Sequence, residues 1–104
     1  MADFKDNRYM TIGIQNEIDP IVQIIMWRMI DEGIKNGQKM DYLQIFKLIP
    51  IDVNGKIRQK IIHSQEVPKR KKEVVVKADT TPIIAKIFVI DSEDYVTMLL
   101  ASEY

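Results

Sequence analysis

The chain has 104 residues, room for one domain whose core needs no covalent staples. Hydrophobic residues make up 46% and charged residues 29%, a globular balance rather than a disordered one. The absence of cysteine excludes disulfides, zinc thiolates and thiol chemistry, and fifteen basic against fifteen acidic residues give zero net charge, unlike most dedicated nucleic-acid binders.

The charge is unevenly spread. Residues 56–77 carry eight basic groups (Lys56, Arg58, Lys60, Lys69, Arg70, Lys71, Lys72, Lys77) against two acidic ones (Glu66, Glu73), a local balance of +6 offset by −6 elsewhere. Such asymmetry orients a partner and says nothing of the fold. Met1 to Arg8 is polar and of mixed charge, unlike a signal peptide, and the longest apolar run, Ile24–Trp27, is too short to cross a bilayer. A cytoplasmic location is expected, with no membrane partner. One domain is expected over residues 1–104, with residues 1–7 as a flexible tail.

In chain order, the first expected element is a strand over Tyr9–Gln15, where Tyr9 and Thr11 alternate with Met10, Ile12 and Ile14. Gly13 within it marks a bulge or a close backbone approach. A helix is predicted over about residues 20–36, with Asp19 as its cap, Pro20 at its first position and Gly37 as its stop. Val22, Ile25, Met26, Trp27, Met29, Ile30 and Ile34 share its apolar arc, opposite Arg28, Asp31, Glu32 and Lys35. Ile21 and Ile24 fall on or beside the polar stripe, so this helix carries more apolar surface than one packed face needs.

Tyr42–Ile51 is rich in strand formers, and Asn54-Gly55 is a strong hairpin signal because both residues tolerate positive φ. A two-residue loop sets Val53 opposite Lys56, Leu48 opposite Ile61 and Phe46 opposite His63. One face then holds Phe46, Leu48, Ile57, Ile61 and His63, the better core candidate. The other holds Ile45, Lys47, Ile49, Arg58, Lys60 and Ile62. Pro68–Lys72 is expected to be an exposed connection, Glu73–Lys77 a short strand, and Asp79–Pro82 a loop. Ile84–Ile90 and Tyr95–Ala101 form a second hairpin about a turn at Asp91–Asp94. The expected class is α+β: a mainly antiparallel sheet of five or six strands with one amphipathic helix on one face. The opposite face is left to solvent or to another protomer.

Arg8–Thr11, Ile18–Pro20 with Met26-Trp27 and Ile30-Asp31, Asp41–Phe46, Gln59–Glu66, Lys86–Asp91 and Met98–Tyr104 resemble blocks of a family of short, uncharacterised proteins of Gram-positive bacteria, domain-of-unknown-function family 960. The resemblance spans nearly the whole chain. It implies no reaction, ligand or site, and the basic Pro68–Lys72 stretch lies outside it.

His63 is the only histidine and so the only side chain whose ordinary pKa lies near neutrality. It is a candidate general base or ligand-binding group, weighed against a strand histidine packed beside Phe46. A lone imidazole makes a poor zinc site. Asp91, Glu93 and Asp94 suit a turn better than a calcium loop. No nucleophile elbow and no phosphate-cradling glycine loop can be written, so no catalytic residue, cofactor or metal is expected, and the reading leans away from an enzyme.

Three functions follow from these features. The first is a small interaction or regulatory module that self-associates, as a homodimer, or binds another protein, with Ile21, Ile24 and Trp27 as candidate interface residues. The second is a weak, salt-dependent nucleic-acid binder through residues 56–72, with Arg58, Lys60, Lys69, Arg70, Lys71 and Lys72 as candidate phosphate ligands. Base stacking would need exposed aromatics, and residues 56–77 contain none. The third is a small enzyme or ligand-binding protein built near His63.

Overall fold

Residues 3–104 are described by a computed structural model, and six strands and two α-helices form among them. The strands are β1 (Asn7–Met10), β2 (Leu43–Val53), β3 (Lys56–Gln65), β4 (Arg70–Val76), β5 (Ala85–Asp91) and β6 (Tyr95–Leu100). The helices are α1 (Ile12–Glu17) and α2 (Pro20–Lys35), and a 3-10 turn, Ala101–Glu103, closes the chain. One sheet runs in the order β1-β6-β5-β2-β3-β4. Every pairing is antiparallel except β1 beside β6. The class is α+β, as expected.

Local chemistry accounts for the two best-defined elements. At the start of α2, Asp19 accepts from the Ile21 N–H at 2.8 Å, and Pro20 occupies the first turn. Burial alone would raise the Asp19 carboxyl's pKa, but hydrogen bonds from Ile21 and Thr80 outweigh it and hold the group below its ordinary value. At the other end, Gly37 adopts φ +72°, a conformation costly for a residue with a Cβ, and the N–H groups of Gly37 and Gln38 return to Ile34 and Gly33. Asn54 and Gly55 have φ of 53° and 83°, and β2 and β3 pair in the register this turn demands, Val53 with Lys56 through Phe46 with His63.

Strand alternation then sorts the sheet into two faces. Phe46, Leu48, Ile61, Ile87, Val89, Val96 and Met98 point to one side and are buried with Val22, Met26, Met29 and Ile30 of α2. Burying each such side chain contributes about 1.5–3 kcal/mol. Glutamines stitch the periphery of this face. Gln59 donates to the Ile83 carbonyl at 3.0 Å and accepts from the Ile83 N–H at 2.9 Å, so one side chain holds the β4–β5 connection as a neighbouring strand would. Gln23 donates to the carbonyls of Ile14 and Ile18, locking α1 to α2. On the opposite face of the sheet no strand residue is fully buried, and Tyr104 packs there with its ring meeting Phe88 edge-on at 5.7 Å.

Four expectations are corrected. The strand expected over Tyr9–Gln15 stops at Met10, and Ile12–Glu17 is helical. Thr11 caps that helix through Ile14, and the Glu103 carboxylate lies where a Cβ on Gly13 would sit, 2.7 Å away, so this glycine serves a close approach and not a bulge. The connection expected over Pro68–Lys72 is shorter, because β4 begins at Arg70. Ile57, assigned to the core face, is 54% exposed because it lies at the hairpin end, beyond the reach of α2. The free tail expected over residues 1–7 is docked at Phe4, which is fully buried and donates its N–H to Asp91 at 3.1 Å. Residues 1 and 2 lie outside the described residues.

Candidate functional site

His63 sits on the covered face beside a cleft at the C-terminal end of α2, lined also by Met29, Gln44, Arg70 and Lys72. The hydrogen-bond network fixes its tautomer by elimination. The Gln65 amide donates to the carbonyls of Lys39 and Pro68, so its oxygen faces inward and accepts from the Asp41 N–H and from Gln44 Nε2. Gln44 Nε2 also donates to the Asp41 carbonyl, which leaves the Gln44 oxygen to face His63 Nε2 at 2.6 Å. The imidazole therefore carries its proton on Nε2 and donates to Gln44. Its ring stacks on Phe46, with centroids 4.3 Å apart.

Burial first, then the charges of Arg70 and Lys72, push the His63 pKa down to about 4. The imidazole is thus neutral through the physiological range. The cleft holds about 40 Å³, room for about three water molecules. The short bond to Gln44 and the stacking on Phe46 tie the imidazole into the Gln44–Gln65 network.

The candidate phosphate ligands do not form one patch. Alternation along β3 and β4 sends Arg58, Lys60 and Lys71 to the open face, and sends Arg70 and Lys72 to the covered side beside His63. Lys69 lies in the turn between the two strands. Lys60 and Lys71 both reach Glu73, at 2.6 and 3.3 Å, and Lys72 reaches Glu32 at 3.5 Å. Hydrogen bonds from Lys60, then Lys71, hold the Glu73 carboxyl below its ordinary pKa.

The sheet adds cations that the charged run did not contain. Lys47 of β2 and Lys86 of β5 stand opposite each other on the open face. With Lys56, Arg58, Lys60 and Lys71 they make six cations on that face, against the single acidic side chain Glu73 at its strand positions. Aromatic rings share the surface. Phe88 lies between Lys86, 5.5 Å from the ring centre, and Tyr104, while Tyr9 and Tyr95 meet edge-on at 6.3 Å. Half-buried Leu43, Ile45, Ile49, Ile62, Ile90 and Leu99 fill the space between. Sequence reasoning missed Lys47, Lys86 and the aromatics as site residues because they are scattered along the chain. The period-2 pattern of β2 and β5 was the signal that could have joined them.

The candidate interface on α2 is divided as well. Ile24 is 53% exposed, and Ile21 is half-buried. Trp27 is engaged within the chain: it packs on the core, and the Arg8 guanidinium lies 4.8 Å from its ring centre while paired with Asp31.

Among the described residues no three metal-ligating side chains converge, and no helix is long and apolar enough to cross a membrane. No functionally curated protein matches the chain in sequence. A crystal structure described as that of the protein of unknown function from Enterococcus faecalis has a similar fold, with a TM-score of 0.79, 23% identity, and coverage of 100% of this chain and 97% of that one. The profile of the family described as Staphylococcal protein of unknown function (DUF960) matches residues 7–103, and the chain belongs to that family.

Proposed function

We propose that this protein is a non-catalytic binding module whose working surface is the open face of the sheet and whose partner there is anionic. The observation that carries this reading is the uncovered sheet face itself, with six cations and one acidic side chain set among apolar groups. Apolar patches of this kind mark interaction sites, and a one-signed rim selects the opposite sign. A symmetric dimer through this face would set cations against cations, which disfavours the sheet as the self-association surface. The cysteine-free composition suits action in the cytoplasm. Retention on a heparin column tests the reading. Charge removal at Lys47 and Lys86 is expected to abolish retention, and removal at Lys69 and Arg70 to leave it nearly unchanged. The reverse order would overturn it.

A second reading, self-association, rests on a different observation: the exposed Ile24 beside the half-buried Ile21 on α2. Sedimentation velocity is expected to show a concentration-dependent dimer that Ile24→Asp dissociates. A strict monomer at high concentration discards it.

A further inference from the structure

We propose that the anionic partner of the open face is single-stranded nucleic acid, an inference that rests on the reading above and narrows it. An acidic protein would be satisfied by cations alone. Here the cations are graded along the sheet against a second feature, flat rings. Residues on one face of a strand recur every second position, about 7 Å apart, so the open face is ruled into successive rows by the strand register. Tyr9 stands opposite Thr97, and Phe88 stands between Leu99 and Ile45. The same row ends in Lys71 at the far edge of the sheet. The next row holds Lys86 and Lys47 and ends in Glu73, the next holds Lys60, and the next Arg58. One end of the face therefore offers rings on which unpaired bases stack, and the other offers cations for the phosphates that follow.

A single strand is the nucleic acid that matches this layout, because its bases are free to turn toward a flat surface while its backbone tracks a basic strip. A duplex hides those bases and is read by elements that enter a groove. The rings are accessible: Tyr9 is 53% exposed, Tyr95 48% and Tyr104 80%. Lys86 already lies over the Phe88 ring, so a stacked base would sit beside a cation placed for its own phosphate. Glu73 opposes binding, since it draws on both Lys60 and Lys71.

Fluorescence anisotropy with the whole chain and labelled oligouridylate and oligothymidylate of about twelve nucleotides tests the proposal. Matching duplexes and polyglutamate serve as the other arms. The single strands are expected to bind most tightly, with log affinity falling against log salt by about 0.7 for each phosphate held. Lys47→Ala should shallow that slope by about one such step. Tyr104→Ala, at a site too exposed to unfold the chain, should weaken binding by roughly fivefold or more through lost stacking. Glu73→Gln should strengthen it. Polyglutamate or duplex binding as tight as the single strand would overturn this proposal while leaving the anionic-partner reading intact. Binding of none of these polyanions at low salt would overturn both.

Discussion

The two faces of the sheet are built from similar apolar residues and differ in what their polar groups do. On the covered face, Gln44, Gln59 and Gln65 are almost wholly buried, and each is bonded to groups of the protein itself. No buried side-chain nitrogen or oxygen among the described residues lacks a partner. On the open face, Lys47, Lys56 and Lys86 are exposed and form no ion pair among the described residues. A polar group that is satisfied internally specifies the fold, and one directed at solvent is available to a partner. Hydrophobicity alone would not separate the two faces; the disposition of the polar groups does.

Adjacent residues of β3 offer the sharpest way to break this comparison. Ile61 is fully buried under α2, and Ile62, its neighbour, faces the open side. Ile61→Ala is expected to lose about 2–5 kcal/mol. Ile62→Ala should lose about 1 kcal/mol or less, because little area leaves the protein interior. Urea unfolding of the pair checks this, and equal losses would mean the open face is packed in solution.

The next effect is read by pH. The folded-state pKa of His63, about 4, lies below its ordinary value, so the folded protein binds the proton more weakly than the unfolded chain. Stability is unaffected above about pH 6.5, falls as the pH drops from about 6.5 toward 4, and levels off below that. The loss attributable to this group is at most about 3 kcal/mol. Urea midpoints at neutral pH and near pH 4.5 measure it, and His63→Phe should flatten that interval. Asp19, whose pKa is depressed, adds the same sign of dependence at lower pH: its stabilisation is present above its ordinary value and lost as the pH falls through the folded one.

Gln59→Leu removes both bonds to Ile83 and leaves that residue's N–H and carbonyl in search of partners. A loss of about 1–3 kcal/mol is expected, with faster amide exchange confined to the connection between β4 and β5. Glu73→Gln gives the smallest stability effect. Its midpoint should not move measurably, since exposed ion pairs contribute little, while retention on a polyanion rises. A lost midpoint with unchanged retention would mean that Glu73 belongs to the fold and not to the binding surface.

What could be read in the sequence was whatever short-range chemistry decides. Asp19-Pro20 and Gly37 bound α2, and Asn54-Gly55 sets nine residue pairs of register, because caps and tight turns act within a few residues. What could not be read depends on distant partners. Ile12 and Ile14 fit a strand period as well as a helix, and the choice involves Thr11 together with Glu103, ninety-two residues away. Phe4, one apolar side chain in a polar run, gives no periodic signal for its burial. Arg70, Lys71 and Lys72 look like a loop because an edge strand needs no apolar alternation, and cations there guard against edge-to-edge pairing. Read as a loop, those residues carry no period-2 alternation, and so no indication of which face of the sheet each cation occupies.

The placement of β1 has a consequence for how the chain is made. Its one neighbour in the sheet is β6, and the segment before it docks on Asp91, eighty-seven residues downstream of Phe4. During synthesis β1 therefore emerges before its partner and stays unpaired until β6 has left the ribosome as well. The β2–β3 hairpin, closed by its own turn, can form long before then. Contacts of such long sequence separation slow folding, because the loop must close before any contact rewards it. In this protein β1 is made well before the β2–β3 hairpin and finds its place after it.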